Sequence, residues 1–103
     1  MKNTQRFNSF AEFYTFYLAE HSNSTCRRLH FAGTSLVLAL LVYILATSNW
    51  LLFPALPVAG YGFAWVGHFF FEKNRPATFL HPLYSLMGDF VMYRDMLVGK
   101  VSF

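Results

Sequence analysis

LHFAGTSLVLALLVYILATSNWLLFPALPVAGYGFAWVGHFFF, residues 29–71, contains no aspartate, glutamate, lysine or arginine. A bilayer core about 30 Å thick takes about 20 apolar residues per helix. The window therefore has room for two spans joined by a short turn. A soluble domain of this size needs polar outer faces on its helices, and this stretch has almost none. The spacing predicts spans over about residues 30–46 and 51–71, with the turn at Thr47, Ser48 and Asn49. Pro54 and Pro57 fall in the first turns of the second span, where a missing amide costs least. Trp50 is placed as an interfacial anchor.

The rest of the chain agrees with this reading. Charged residues are 13% and hydrophobic ones 55%. A typical soluble domain carries about 25% charged residues. The chain has 103 residues, enough for a single membrane domain. A net charge of +3, spread along the chain, argues against a nucleic-acid partner. One cysteine, Cys26, excludes an intrachain disulfide. The first 25 residues are polar and aromatic rather than basic-then-apolar, so the first span is expected to direct insertion.

Two further helices flank the hairpin. Ser9 and Glu12 have the spacing of a capping box. Phe10, Phe13, Tyr14, Tyr17, Leu18 and His21 then recur at helical spacing, which predicts an amphipathic helix lying on the membrane or on the hairpin. After Pro76 and Pro82, the stripe Leu83, Leu86, Met87, Phe90, Val91 and Tyr93, broken by Asp89 and Arg94, predicts a partly embedded helix that stops near Gly99. The fold class expected is an all-α integral membrane protein: a transmembrane hairpin between an N-terminal amphipathic helix and a C-terminal partly embedded one. Arg27 and Arg28 precede the first span, Lys73 and Arg75 follow the second, and the turn has no basic residue. The positive-inside rule then puts both termini in the cytoplasm.

The four histidines occupy four different elements. His30 opens the first span, His68 lies near the end of the second, His21 ends the helix before the hairpin, and His81 begins the helix after it. A folded hairpin brings His30 and His68 to one depth, near the cytoplasmic face, with the other two just outside. Imidazole suits iron, zinc, copper and nickel, and a metal site needs three or four ligands converging from different elements. A single interface histidine is commonly a polar anchor; four at one level are harder to explain that way. Glu72 and Asp89 share helical faces with His68 and His81, so either could orient a ligand or bind metal directly. Glu72 reads equally as a solvated helix end, and Asp89 as a partner of Arg94 or Arg75. Cys26 is a soft donor, though a lone cysteine is commonly a small buried residue.

These residues carry a resemblance. His21-Ser-Asn with His30 and Gly33, Gly67-His68 with Glu72, Asn74, Pro76 and Ala77, His81-Pro82, and Gly88-Asp89-Phe90 resemble the fungal 2-hydroxy fatty acid dioxygenase family over roughly residues 10–95. Ser24 and Cys26 stand where many relatives have proline and asparagine. The resemblance implies a multi-span protein of the endoplasmic reticulum membrane. It implies an iron(II)-dependent dioxygenase that shortens a 2-hydroxy fatty acid by one carbon with O2, and His21, His30, His68 and His81 as iron ligands. Zinc, which takes histidine readily, is expected as a substitute in purified protein. Arg27, Arg28 or Arg75 could pair with the substrate carboxylate, although arginines that flank spans also serve topology. Membrane lipid is the expected surrounding. A hairpin this small has little core, so a homo-oligomer could supply missing contacts. Two other classes remain open: a non-catalytic metal- or lipid-binding membrane protein, and a small structural subunit of a membrane complex.

Overall fold

A computed structural model describes residues 6–103, and within these all regular structure is helical. Helix α1 spans Phe10–Ala19, α2 Ser24–Thr47, α3 Ala55–Val66 and α4 Pro82–Leu97. A 3-10 turn at Trp50–Leu52 leads into α3, and α3 continues directly into a π-helical segment, Gly67–Glu72.

Helix α1 starts where the capping pattern predicts. The Ser9 hydroxyl accepts from the Glu12 amide at 3.2 Å, and the Glu12 carboxylate accepts from the Asn8 amide at 3.0 Å. Its aromatic face packs on α4 rather than on the hairpin. Phe13 and Tyr17 are fully buried in a cluster with Ala77, Met92 and Met96. The Tyr17 ring lies so close over Gly88 that a Cβ there would approach it within 2.9 Å. Two tyrosines pin the pair further: Tyr14 donates to Asp95 at 2.8 Å, and Tyr17 donates to Asp89 at 2.5 Å.

Helix α2 begins earlier than hydropathy suggests. The Asn23 side chain accepts from the amides of Thr25 and Cys26, so the helix starts at Ser24 and His30 sits inside it. Arg27, which a span would exclude, is tolerated because it donates to the carbonyls of His21 and Ser22. Asn23→Ala removes a cap and is expected to cost about 1 kcal/mol, read as a lower unfolding temperature in detergent.

At about 1.5 Å per residue, the 24 residues of α2 are long enough for a bilayer core. The chain turns at Ser48, whose φ of 56° is left-handed, and α3 returns along α2. Gly33 lets the two backbones approach closely: a Cβ there would lie 3.0 Å from Phe63 and 3.3 Å from the Ala59 carbonyl oxygen. The stretches Ser24–Thr47 and Trp50–Glu72 are both long and apolar enough to cross a membrane. Their outer faces are uncovered, with Val42 66%, Val58 73% and Leu51 92% exposed. The core helices of a soluble protein would hide such residues.

Candidate metal centre

Three histidines meet where α1, α2 and the π-helical segment come together. His21 follows the end of α1, His30 stands in α2, and His68 lies in the π-helical segment. They are 1%, 5% and 2% exposed. The Nε2 atoms of His30 and His68 each lie 3.0 Å from Nε2 of His21. With metal–nitrogen bonds of about 2.0–2.1 Å, two nitrogens so spaced subtend about 90° at a shared ion.

The opposite ring nitrogens decide what these contacts are. His21 Nδ1 lies 2.6 Å from the Tyr17 carbonyl oxygen, and His30 Nδ1 lies 3.0 Å from the Cys26 carbonyl oxygen. A carbonyl can only accept, so both Nδ1 atoms carry the proton. His68 Nδ1 lies 2.7 Å from Asn74 Oδ1. The other end of that amide donates to the Glu20 carbonyl at 3.1 Å and the Glu20 carboxylate at 3.2 Å, which fixes Oδ1 toward the histidine. All three Nδ1 atoms therefore donate, and all three Nε2 atoms present lone pairs to one point. Three buried lone pairs facing one another repel unless a cation or a hydrogen-bond donor lies between them. The donor set fits a transition metal, and each histidine has the outer hydrogen bond that metal-bound histidines ordinarily make. Burial first, and then the neighbouring His30 and His68, hold the His21 imidazole well below its usual pKa, which favours the neutral, metal-binding form.

Local structure explains the convergence. A π turn is wider than an α turn and is frequent at functional sites. Here it closes with the amides of Lys73 and Asn74 both donating to the His68 carbonyl, and Lys73 takes a left-handed φ of 61°. This tight stop returns Asn74 beside the histidine it orients. Asn74→Leu is expected to lower metal affinity about 10–100-fold, measured by competition with a chelator.

The other candidates fall in different places. Cys26 joins the cluster: its sulfur and the three histidines' donor atoms all lie within 4.8 Å of one another. The thiol sits 3.8 Å from His30 Nδ1, the nitrogen turned away from the other rings. His81 is not brought to the cluster. It caps α4 from outside, and its ring stands edge-on to Phe7, Phe13 and Phe16. Glu72 accepts from the Ser22 hydroxyl and the Asn23 amide, so it ties the π-helical segment to the turn that carries His21. Asp89 pairs with neither Arg94 nor Arg75; it accepts from Tyr17, whose ring stacks on His21 at 4.0 Å. Burial pushes its carboxyl up to about 6, against the opposing pull of the Tyr17 hydroxyl. Arg27 and Arg28 donate to the carbonyls of Ser102 and Phe103, and Arg75 lines a separate cavity of about 80 Å³ with Glu20 and His81. Tyr17 and Asn74 are the residues that sequence reasoning passed over as site components. The single signal for Tyr17 is its position one helical turn before His21.

Two cavities adjoin the histidines. One of about 10 Å³ lies between the three rings and Thr78, Ser85 and Asp89, which is about the room a single water needs. The other, about 210 Å³, runs from His30 and Asp89 between α2, α3 and α4 along apolar walls.

A family model described as 2-hydroxy-palmitic acid dioxygenase Mpo1-like matches residues 7–101. No curated protein and no solved structure matches the chain.

Proposed function

This chain belongs to the 2-hydroxy-palmitic acid dioxygenase Mpo1-like family, and we propose that it is a membrane-embedded iron(II) dioxygenase acting on a lipid-derived 2-hydroxy fatty acid. The observation that carries the metal is the convergence of three Nε2 lone pairs, each set by a donating Nδ1. The observation that favours a lipid is the apolar cavity beginning at the same histidine. The overall change balances as 2-hydroxy acid plus O2 giving the acid one carbon shorter, carbon dioxide and water.

Bound iron would pass electrons from the 2-hydroxy acid to O2 and offer open positions at which a hydroxyl and a carboxylate can chelate. The protein's own residues do the rest. His21, His30 and His68 would hold the ion through Nε2. Tyr17 acts twice: its carbonyl orients His21, and its hydroxyl occupies one oxygen of Asp89. The other Asp89 oxygen takes no hydrogen bond among the described residues, and Asp89 lines both cavities. It is placed to receive the substrate hydroxyl as a hydrogen-bond donor. The apolar walls exclude water from the chain and hold the head group in the polar end. In this reading the two apolar helices cross the membrane with both termini cytoplasmic, which the arginines and lysines flanking them support.

Cys26 supports one other reading, a closed three-histidine, one-cysteine zinc site with a structural role. Metal analysis of anaerobically purified protein separates the two. The dioxygenase reading expects iron near one equivalent, and formation of the one-carbon-shorter acid from 2-hydroxypalmitate and O2. Less than about a tenth of an equivalent of any transition metal after iron loading overturns both readings. Tightly held zinc that needs Cys26, with no product from the iron-loaded protein, favours the structural site.

A further inference from the structure

The larger cavity has one polar end and an open side. His30 and Asp89 form the polar end, and the remaining walls are largely apolar. Val37 marks the far end on α2. From His30 to Val37 the wall runs about 10 Å at 1.5 Å per residue. That is shorter than an extended long acyl chain, so the tail of such a substrate must leave the cavity.

The structure shows where it can leave. Helices α3 and α4 each pack on α2 but hardly on one another. Pro57 of α3 and Leu86 and Phe90 of α4 line the cavity and are nonetheless exposed. The mouth therefore lies between α3 and α4 and opens sideways, level with the uncovered apolar surface of the hairpin. A water-soluble ligand would have to cross that surface, whereas a lipid already lies in contact with it.

We propose that this cavity is a lateral acyl channel, through which a single-chain lipid enters between α3 and α4, head group toward His30 and Asp89, and that Gly60 sets how much chain it admits. The metal-centred reading above supplies only the identity of the head group. Gly60 faces the channel, and a Cβ there would meet nothing but the Val37 Cγ2 atom, at 3.3 Å, on the opposite wall. A larger side chain at this position grows into the channel. Gly62, two residues on, faces open space.

The test uses the full chain in phosphatidylcholine nanodiscs, with and without metal, and a 2-hydroxy fatty acid carrying a photoreactive diazirine near its tail. Crosslinks are expected on peptides containing Leu56–Tyr61 and Leu83–Phe90, whether or not the protein turns over. Competition between 2-hydroxypalmitate and 2-hydroxydecanoate for this labelling gives the chain-length preference. Gly60→Leu and Leu86→Trp are each expected to shift it about tenfold toward the shorter chain, and Gly62→Leu to leave it unchanged. Leu86 lies on α4, away from the hairpin contact, so this variant decides if Gly60→Leu does not fold. Crosslinks confined to the outer face around Val42 and Leu45, or an unchanged preference in Leu86→Trp, overturn the channel. Channel labelling without product from the iron-loaded protein instead overturns the dioxygenase reading and leaves the channel standing.

Discussion

His21→Ala is expected to lower bound metal from near one equivalent to below about a tenth and, on the proposed dioxygenase reading, to abolish formation of the shortened acid. His21 is the hub of the cluster, because both 3.0 Å Nε2 approaches include it. Its removal leaves two histidines in the cluster, fewer than the three protein ligands of an ordinary catalytic zinc-type site. It also leaves the Tyr17 carbonyl without its imidazole donor and the Tyr17 ring without its stacking partner. His81→Ala serves as the contrast. That ring touches phenylalanines rather than the cluster, so the variant is expected to keep its metal. Elemental analysis of both variants, purified anaerobically side by side, checks the pair. Metal loss in His81→Ala equal to that in His21→Ala would show that the ligand set is wrong.

Gly67→Ala is expected to disable the centre without removing any ligand. An added Cβ would lie 2.8 Å from the Cys26 sulfur and 3.1 Å from the Cys26 α-carbon. A side-chain tip can move aside, but a helix backbone moves only with the helix. The π-helical segment must then separate from α2, at an overpacking cost of about 1–3 kcal/mol. His68 is the next residue and moves with it, away from His21. Metal affinity is expected to fall at least 10-fold, in the range of about 10–100-fold seen when a ligand loses its support. Cys26→Ala added to this variant removes the clash with the sulfur but not the one with the backbone, so it should restore stability only in part. Gly62→Ala provides the control, since nothing stands within 4 Å of a Cβ there. Thermal unfolding in detergent and chelator competition measure the two effects separately. An unchanged affinity in Gly67→Ala would mean that the close approach of Gly67 to Cys26 does not position His68.

Much of the framework is written in local sequence. The charge-free window, the turn at Thr47–Asn49 and the Ser9 cap place the helices to within a few residues. The one clear shift is the start of α2, which Asn23 sets earlier than hydropathy does. The pairing of His30 with His68 follows from a hairpin folding back on itself, because antiparallel helices bring their outer ends level. His21 follows because only Ser22 and Asn23 separate it from the start of α2.

His81 shows where such reasoning stops. A common depth says nothing about which side of a neighbouring helix a residue takes. The chain between Asn74 and Pro82 carries His81 against Phe13 and Phe16 of α1, while His21, stacked on Tyr17, meets His30 and His68. The hydrogen bonds that set the three imidazoles are equally invisible in sequence. One runs to a side chain six residues away around a π turn, and two run to backbone carbonyls whose availability depends on where a helix ends or bends.

The sequence by itself determined two apolar helices folded as a hairpin and a set of four candidate histidines, three of which meet, because hydropathy and helical period are properties of neighbouring residues. Only the tertiary structure decided that the Nε2 atoms of His30 and His68 both approach that of His21, that Cys26 joins them, and that an apolar cavity opens between α3 and α4. Those depend on crossing angles and on rotations about helix axes. Interactions between residues far apart in the chain, such as Gly67 on Cys26 and Tyr17 on Asp89, set both.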